Sequence, residues 1–88
     1  MQRDLLIEER KNLSQALKLL PLVSKVYPSD ANFILTEVID ASAIYQDLLR
    51  HGIIVRNRDP VIKNTIRITV GTPEQNQILL TALKNMTL

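Results

Sequence analysis

Hydrophobic residues recur at helical spacing along the first part of the chain. Four leucines lie seven, four and three positions apart, which places them on one side of a helix. This pattern predicts a helix from Arg3 to Leu20. Pro21 ends it, because proline has no amide hydrogen to donate and its ring collides with the preceding turn. The stripe consists of Leu6, Leu13, Leu17 and Leu20.

Two further helices are indicated by apolar faces together with signals at their ends. Asp40 is suited to cap the first of them, and His51 and Gly52 mark its last turn. Thr72 and Gln75, with a proline directly after the threonine, form the pattern of a capping box that opens the last helix. The predicted buried faces are Ile44, Tyr45, Leu48 and Leu49 in the one helix, and Ile78, Leu79, Ala82, Leu83 and Met86 in the other.

Four short segments carry the β-branched and aromatic residues that are typical of strands. The alternation is clearest in the last segment, where Ile66, Ile68 and Val70 share one face. The turn residues Pro28 to Asp30 separate the first two segments and favour a hairpin there. The predicted strands are Val23–Tyr27, Ala31–Ile39, Ile53–Arg56 and Thr65–Val70.

The predicted order of elements is therefore α-β-β-α-β-β-α. Helices that flank a small, mostly antiparallel sheet define an α+β fold, and a chain of 88 residues has room for a single domain. The two strands on either side of the second helix are expected to lie side by side through a right-handed crossover.

Composition narrows the functional classes. The chain has no cysteine, which excludes a disulfide framework and a thiolate metal site and fits a reducing compartment. The net charge of +2 and the scarcity of aromatic residues argue against a nucleic-acid partner. No apolar run is long enough to span a membrane, and no signal peptide is recognisable. Two glycines cannot form a glycine-rich phosphate loop.

No complete catalytic site can be assembled from these residues. His51 is the only histidine and is expected to be a solvated helix end rather than a metal ligand. The serines lack the context of an activated nucleophile, and the carboxylates fall mostly at turns, caps and helix surfaces. The five lysines lie in no evidently apolar surroundings, and a Schiff-base lysine needs partial desolvation.

Basic residues are crowded into one stretch that contains a single acid, Asp59. Arg67 is distinctive, because it lies in the middle of the clearest strand. An arginine at such a position must be paired or must face a site, and its planar guanidinium suits a carboxylate or a phosphate. The alternative is that its strand face simply lies in solvent. Arg56 presents a similar case. The crowded residues are Arg50, Arg56, Arg58, Lys63 and Arg67.

Three motifs give the chain a family resemblance over nearly its whole length. They are PSDANFIL at 28–35, HGIIVRNR at 51–58 and IRITVGTPEQN at 66–76. In order and spacing they resemble the C-terminal small domain of histidinol-phosphate aminotransferases, which are fold-type I pyridoxal-phosphate enzymes. The connection at 59–65 departs from the family, since it lacks the glycine-containing turn often found before the third motif.

The resemblance implies a substrate-binding role for residues 1–88 as one small domain of a larger, homodimeric, cytoplasmic enzyme of histidine biosynthesis. Arg67 would bind the phosphate of histidinol phosphate in one half-reaction and a carboxylate of glutamate or 2-oxoglutarate in the other. Arg56 would be a second substrate contact, and Asn32 would be structural. Pyridoxal 5'-phosphate and the catalytic residues would belong to a large domain of the same polypeptide, so this chain alone is expected to be inactive.

Two other functions remain open. Threonine-phosphate decarboxylases belong to the same superfamily, share much of the pattern and also bind a phosphate. A stand-alone α+β module that binds a small ligand would likewise explain the basic residues. Nucleic-acid binding is disfavoured, because Tyr27, Phe33 and Tyr45 do not amount to a stacking surface.

Overall fold

The computed structural model describes residues 2–29 and 31–86, and these form three helices and one four-stranded sheet. The α+β class and the predicted order of elements are confirmed. Asp30, part of the predicted turn, lies outside the described residues. In chain order the elements are α1 (Arg3–Lys18), β1 (Val23–Val26), β2 (Phe33–Val38), α2 (Ala41–Arg50), β3 (Arg56–Asn57), β4 (Thr65–Thr69) and α3 (Pro73–Lys84).

The sheet is antiparallel throughout, in the order β1-β2-β4-β3. The expectation that β2 and β3 would be neighbours is wrong, because β4 lies between them and pairs with both. The strand predicted at Ile53–Arg56 is also misplaced. The amide of Ile53 donates to the carbonyl oxygen of Leu48 at 2.9 Å and so completes the end of α2. Pairing with β4 begins only at Arg56.

The predicted signals at the ends of the helices are confirmed. The carboxylate of Asp40 accepts a hydrogen bond from the amide of Ala43 at 3.1 Å, as an N-cap does. Gly52 has a φ of +75° and, together with Ile53, closes α2 by a Schellman motif. Thr72 and Gln75 form the complete capping box at the start of α3.

The core lies between the three helices and one face of the sheet. The predicted leucine stripe packs into it, with Leu13, Leu17 and Leu20 buried and Leu6 partly buried, and the alternating isoleucines of β4 are buried as predicted. Two predicted core positions are wrong. Ile78 is 59% exposed and Leu49 is 45% exposed, because each lies at the edge of its helix's buried face. The buried residues of α3 are Asn76, Leu79 and Leu83.

The opposite side of the sheet, here called the open face, carries charged and half-buried side chains. Strand alternation and register assign to it Lys25, Phe33, Leu35, Glu37, Arg56, Thr65, Arg67 and Thr69. The loop before β4 has no glycine, and Asn64 adopts a φ of +51° there instead. Asparagine tolerates this left-handed conformation better than most residues, which explains how the chain turns into β4 without the family's glycine.

Candidate anion-binding site

Arg67 lies near the middle of the sheet, since its strand is bordered on both sides. It is opposite Leu35 of β2 on one side and opposite Arg56 of β3 on the other. All three residues belong to the open face. Arg67 is half-buried, and Arg56 is exposed. The fold thus brings together the two arginines that the sequence singled out.

The direct pairing of two arginines is electrostatically unfavourable. Like charges that face each other on neighbouring strands destabilise a sheet by about 0.2–1 kcal/mol. Within residues 2–29 and 31–86, neither arginine takes part in an ion pair; the ion pair found there joins Asp47 to Arg50, and Asp47 also lies 3.8 Å from Nδ1 of His51. A bound anion between Arg56 and Arg67 would remove this repulsion and would receive hydrogen bonds from both guanidinium groups.

The guanidinium of Arg67 is held against an aromatic ring. Its Cζ atom is 5.0 Å from the centroid of Phe33, within the range of a cation–π interaction. Its Nε atom is buried and has no hydrogen-bond partner among the described residues. The contact between Phe33 and Arg67 was not predicted from the sequence. The two residues are diagonal neighbours only in the observed strand register, which no local sequence pattern reports.

The turn before β2 fixes the position of Phe33. The hydroxyl of Ser29 donates to the carbonyl oxygen of Phe33 at 2.6 Å and accepts from the amide of Ala31 at 3.2 Å. Arg10 of α1 donates through Nη1 to the carbonyl oxygen of Ala31 at 3.0 Å. The carbonyl oxygen of Asn32 accepts a bond from the residue after β4 at 2.8 Å. These bonds give the PSDANFIL motif a structural basis.

The second half of the IRITVGTPEQN motif anchors α3. Asn76 is buried, accepts from the amide of Gly71 at 2.9 Å and donates to its carbonyl oxygen at 3.0 Å. Asn76 also donates to Glu9 of α1 at 3.1 Å. A Cβ atom at Gly71 would overlap the side chain of Gln75, which accepts a bond from the amide of Thr72. Sequence reasoning missed Asn76, although its spacing of three and seven from Leu79 and Leu83 was a signal.

The remaining basic residues do not join the arginine pair. Arg50 contacts Asp47 on the surface of α2, at 3.1 Å. His51 is exposed at the end of the same helix, with Nδ1 2.8 Å from the carbonyl oxygen of Asp47. Arg58 and Lys63 belong to the loop between β3 and β4. Of the five basic residues that are close together in the sequence, only Arg56 and Arg67 are therefore paired on the open face.

The described residues do not fit a pyridoxal-phosphate site. All five lysines are exposed, and a lysine that forms a Schiff base at neutral pH has to be partly desolvated. In the same part of the chain, no cluster of three or more histidines or carboxylates could hold a metal ion. None of its helices combines the length and apolar character needed to cross a membrane.

In the part of the chain that the structure describes, fold and site define an α+β domain with a pair of arginines on one sheet face that takes part in no ion pair. Comparison with known proteins identifies the family to which the domain belongs. The model of the family "Aminotransferase class I and II" matches residues 1–83. The chain belongs to the class I and II aminotransferases.

Two similar curated proteins are both histidinol-phosphate aminotransferases. The chain is 49% identical over 81 residues to a histidinol-phosphate aminotransferase of Flavobacterium psychrophilum and 48% identical over 85 residues to one of Parabacteroides distasonis. These matches cover 90% and 94% of the chain but only 23% and 25% of the relatives. The chain thus spans about a quarter of the length of the curated relatives that it matches.

Solved structures agree with the fold. The chain superposes on the histidinol-phosphate aminotransferase of Clostridium acetobutylicum with a TM-score of 0.83 and 26% identity, covering 90% of this chain and 25% of that one. A decarboxylase of Sulfurospirillum multivorans gives a TM-score of 0.83 with 36% identity, over 93% of this chain and 22% of that one.

Proposed function

We propose that residues 1–88 form the C-terminal small domain of a histidinol-phosphate aminotransferase and bind the anionic end of its substrates. The observation that carries this proposal is the pairing of Arg56 with Arg67, neither of which has an ion-pair partner among residues 2–29 and 31–86, in a chain of the aminotransferase family. The names of the curated relatives support the choice of substrate.

In this proposal Arg67 is the main anion contact. Its guanidinium can donate two parallel hydrogen bonds to a phosphate or to a carboxylate, so one residue serves both half-reactions. The anion would be the phosphate of histidinol phosphate in one half-reaction and a carboxylate of glutamate or 2-oxoglutarate in the other. Arg56 lies opposite on β3 and would contribute a second positive charge from the exposed side.

The rest of the enzyme would be supplied by chain outside these residues. A large domain of the same polypeptide would hold pyridoxal 5'-phosphate, which carries the amino group between the substrates. The relatives' extra length, about three quarters of each, leaves room for such a domain. We further infer a homodimeric, cytoplasmic enzyme of histidine biosynthesis, as the resemblance implies.

A decarboxylase that acts on threonine phosphate is the second candidate. It is favoured by the decarboxylase of Sulfurospirillum multivorans, whose identity to this chain, 36%, exceeds the 26% of the aminotransferase of Clostridium acetobutylicum. Such an enzyme would use the same arginine pair for a phosphate. A stand-alone ligand-binding module would instead bind its anion at full affinity without any further domain.

A chimeric enzyme tests these functions against one another. The chain replaces the matching segment of the Flavobacterium psychrophilum aminotransferase, with the unaltered enzyme as the control. We expect the folded, cofactor-loaded chimera to transfer the amino group of histidinol phosphate to 2-oxoglutarate. A folded chimera without that activity contradicts the proposal, and release of carbon dioxide from threonine phosphate in its place supports the decarboxylase.

A further inference from the structure

We propose that Phe33 is a positioning residue for anion binding, because its ring holds the guanidinium of Arg67 in the orientation that presents its donors to the ligand. This inference rests on the proposed function and adds to it a residue that touches neither the anion nor the reacting atoms. The stacking distance of 5.0 Å and the unpartnered Nε atom of Arg67 are the observations that carry it.

The contact with Phe33 uses none of the hydrogen-bond donors of Arg67. The phenyl ring has no nitrogen or oxygen acceptor, whereas the guanidinium has five N–H donors. A carboxylate partner would occupy those donors and neutralise the charge. Phe33 does neither, so Arg67 keeps both its charge and its donors for an incoming anion.

The neighbours of the ring explain why it reaches Arg67. Phe33 pairs directly with Thr69, which is small and exposed, and Arg67 is its diagonal neighbour on the open face. Diagonal neighbours lie about 7–8 Å apart at their Cα atoms, which an aromatic side chain can bridge. The hydrogen bond from Ser29 to the carbonyl oxygen of Phe33 fixes the backbone from which the ring extends.

Holding the guanidinium in advance matters for a long side chain. Arginine has high rotamer entropy, and immobilising one such long side chain on binding weakens the affinity by about 2–13-fold. A side chain already held against a ring loses less freedom when the anion arrives. Substituting leucine for Phe33 retains an apolar side chain at the position but removes the ring, and so separates positioning from packing.

The test measures binding of inorganic phosphate to the chain by nuclear magnetic resonance, together with the Nε–H signal of Arg67. Phe33→Leu is expected to weaken phosphate binding about 3–10-fold, because the cost of immobilising Arg67 then falls on the binding step. Phe33→Tyr is expected to bind as the unaltered chain does, because the ring is retained. The matched control is Tyr27→Leu, which removes the cation–π contact of Tyr27 with Lys25 and should leave phosphate binding unchanged.

The outcomes separate the two proposals. If Phe33→Leu shifts the Nε–H signal of Arg67 but binds phosphate as the unaltered chain does, the positioning role is contradicted and the anion site stands. If neither the unaltered chain nor any variant binds phosphate, the anion site fails and the positioning role fails with it. Should Phe33→Leu not fold, judged by circular dichroism, the larger ring of Phe33→Trp serves instead, and a 3-fold or greater loss of affinity there contradicts the role.

Discussion

Two arginines that face each other across neighbouring strands are the residue-scale feature on which the proposed function depends. Their repulsion is a small but unrelieved cost within the described residues, and binding sites commonly retain such costs. The sequence showed the alternation that puts Arg67 on the open face. It did not show that Arg56 would lie opposite, because that pairing depends on which strands become neighbours.

Arg56→Glu is expected to raise the stability of the fold and at the same time to abolish phosphate binding. The new carboxylate would face Arg67, and replacing a like-charge pair by an opposite-charge pair should raise the free energy of unfolding by roughly 0.5–1 kcal/mol. The same variant should lose phosphate binding. Urea unfolding and a phosphate titration measure the two effects, with the exposed Lys11→Glu as a control for the same change of charge. A destabilised Arg56→Glu chain, or one that still binds phosphate, would contradict the account.

At the scale of elements, local signals were readable from the sequence and long-range pairing was not. Asp40, Thr72 and Gln75 act within one helical turn, so their spacing alone predicted the caps that the structure shows. The insertion of β4 between β2 and β3 involves residues far apart in the chain, and no local pattern reports it. The apolar stretch before Arg56 was therefore taken for a strand, although it closes α2.

Asn76→Ala tests how α3 is attached to the rest of the fold. The substitution leaves the amide and the carbonyl oxygen of Gly71 without their partner and removes the bond to Glu9. Leaving buried polar groups unpaired costs about 1–3 kcal/mol, so the midpoint of urea unfolding should fall accordingly. Gln77→Ala, at an exposed position one residue further along α3, is the control and should change stability by less than about 0.5 kcal/mol. Equal effects of the two substitutions would show that the Asn76 bonds contribute no stability.

At the scale of the whole molecule, the chain spans about a quarter of the length of its curated relatives, and in the proposed function it supplies the substrate-binding arginines but not the cofactor site. It has a complete core of its own, and its open face presents the arginine pair. The resemblance of the three motifs predicted a small domain that binds substrate while the cofactor is held by a large domain, and that division stays a prediction. The contact of Phe33 with Arg67 could not be predicted from the motifs, because it depends on the register in which β2 pairs with β4.

The exposed lysines lead to a prediction about the cofactor. When the chain is mixed with pyridoxal phosphate and an amino donor, we expect neither the visible absorption band of a lysine-bound cofactor nor amino-group transfer, because all five lysines are solvated. Absorption spectroscopy and a 2-oxo acid assay check the two parts. A band that disappears when one particular lysine is replaced would place a cofactor site in this chain and overturn the division between domains.

The most direct test of the central claim is the effect of Arg67→Ala on the chimeric aminotransferase with each of its two substrates. Losing a charge-assisted bidentate contact should raise the activation free energy that kcat/KM reports by about 2–4 kcal/mol, which lowers kcat/KM about 30–900-fold. We expect a raised KM for histidinol phosphate and for 2-oxoglutarate alike. A loss confined to one substrate would contradict the shared anion site, and an unchanged kcat/KM for both would contradict any role of Arg67 in substrate binding.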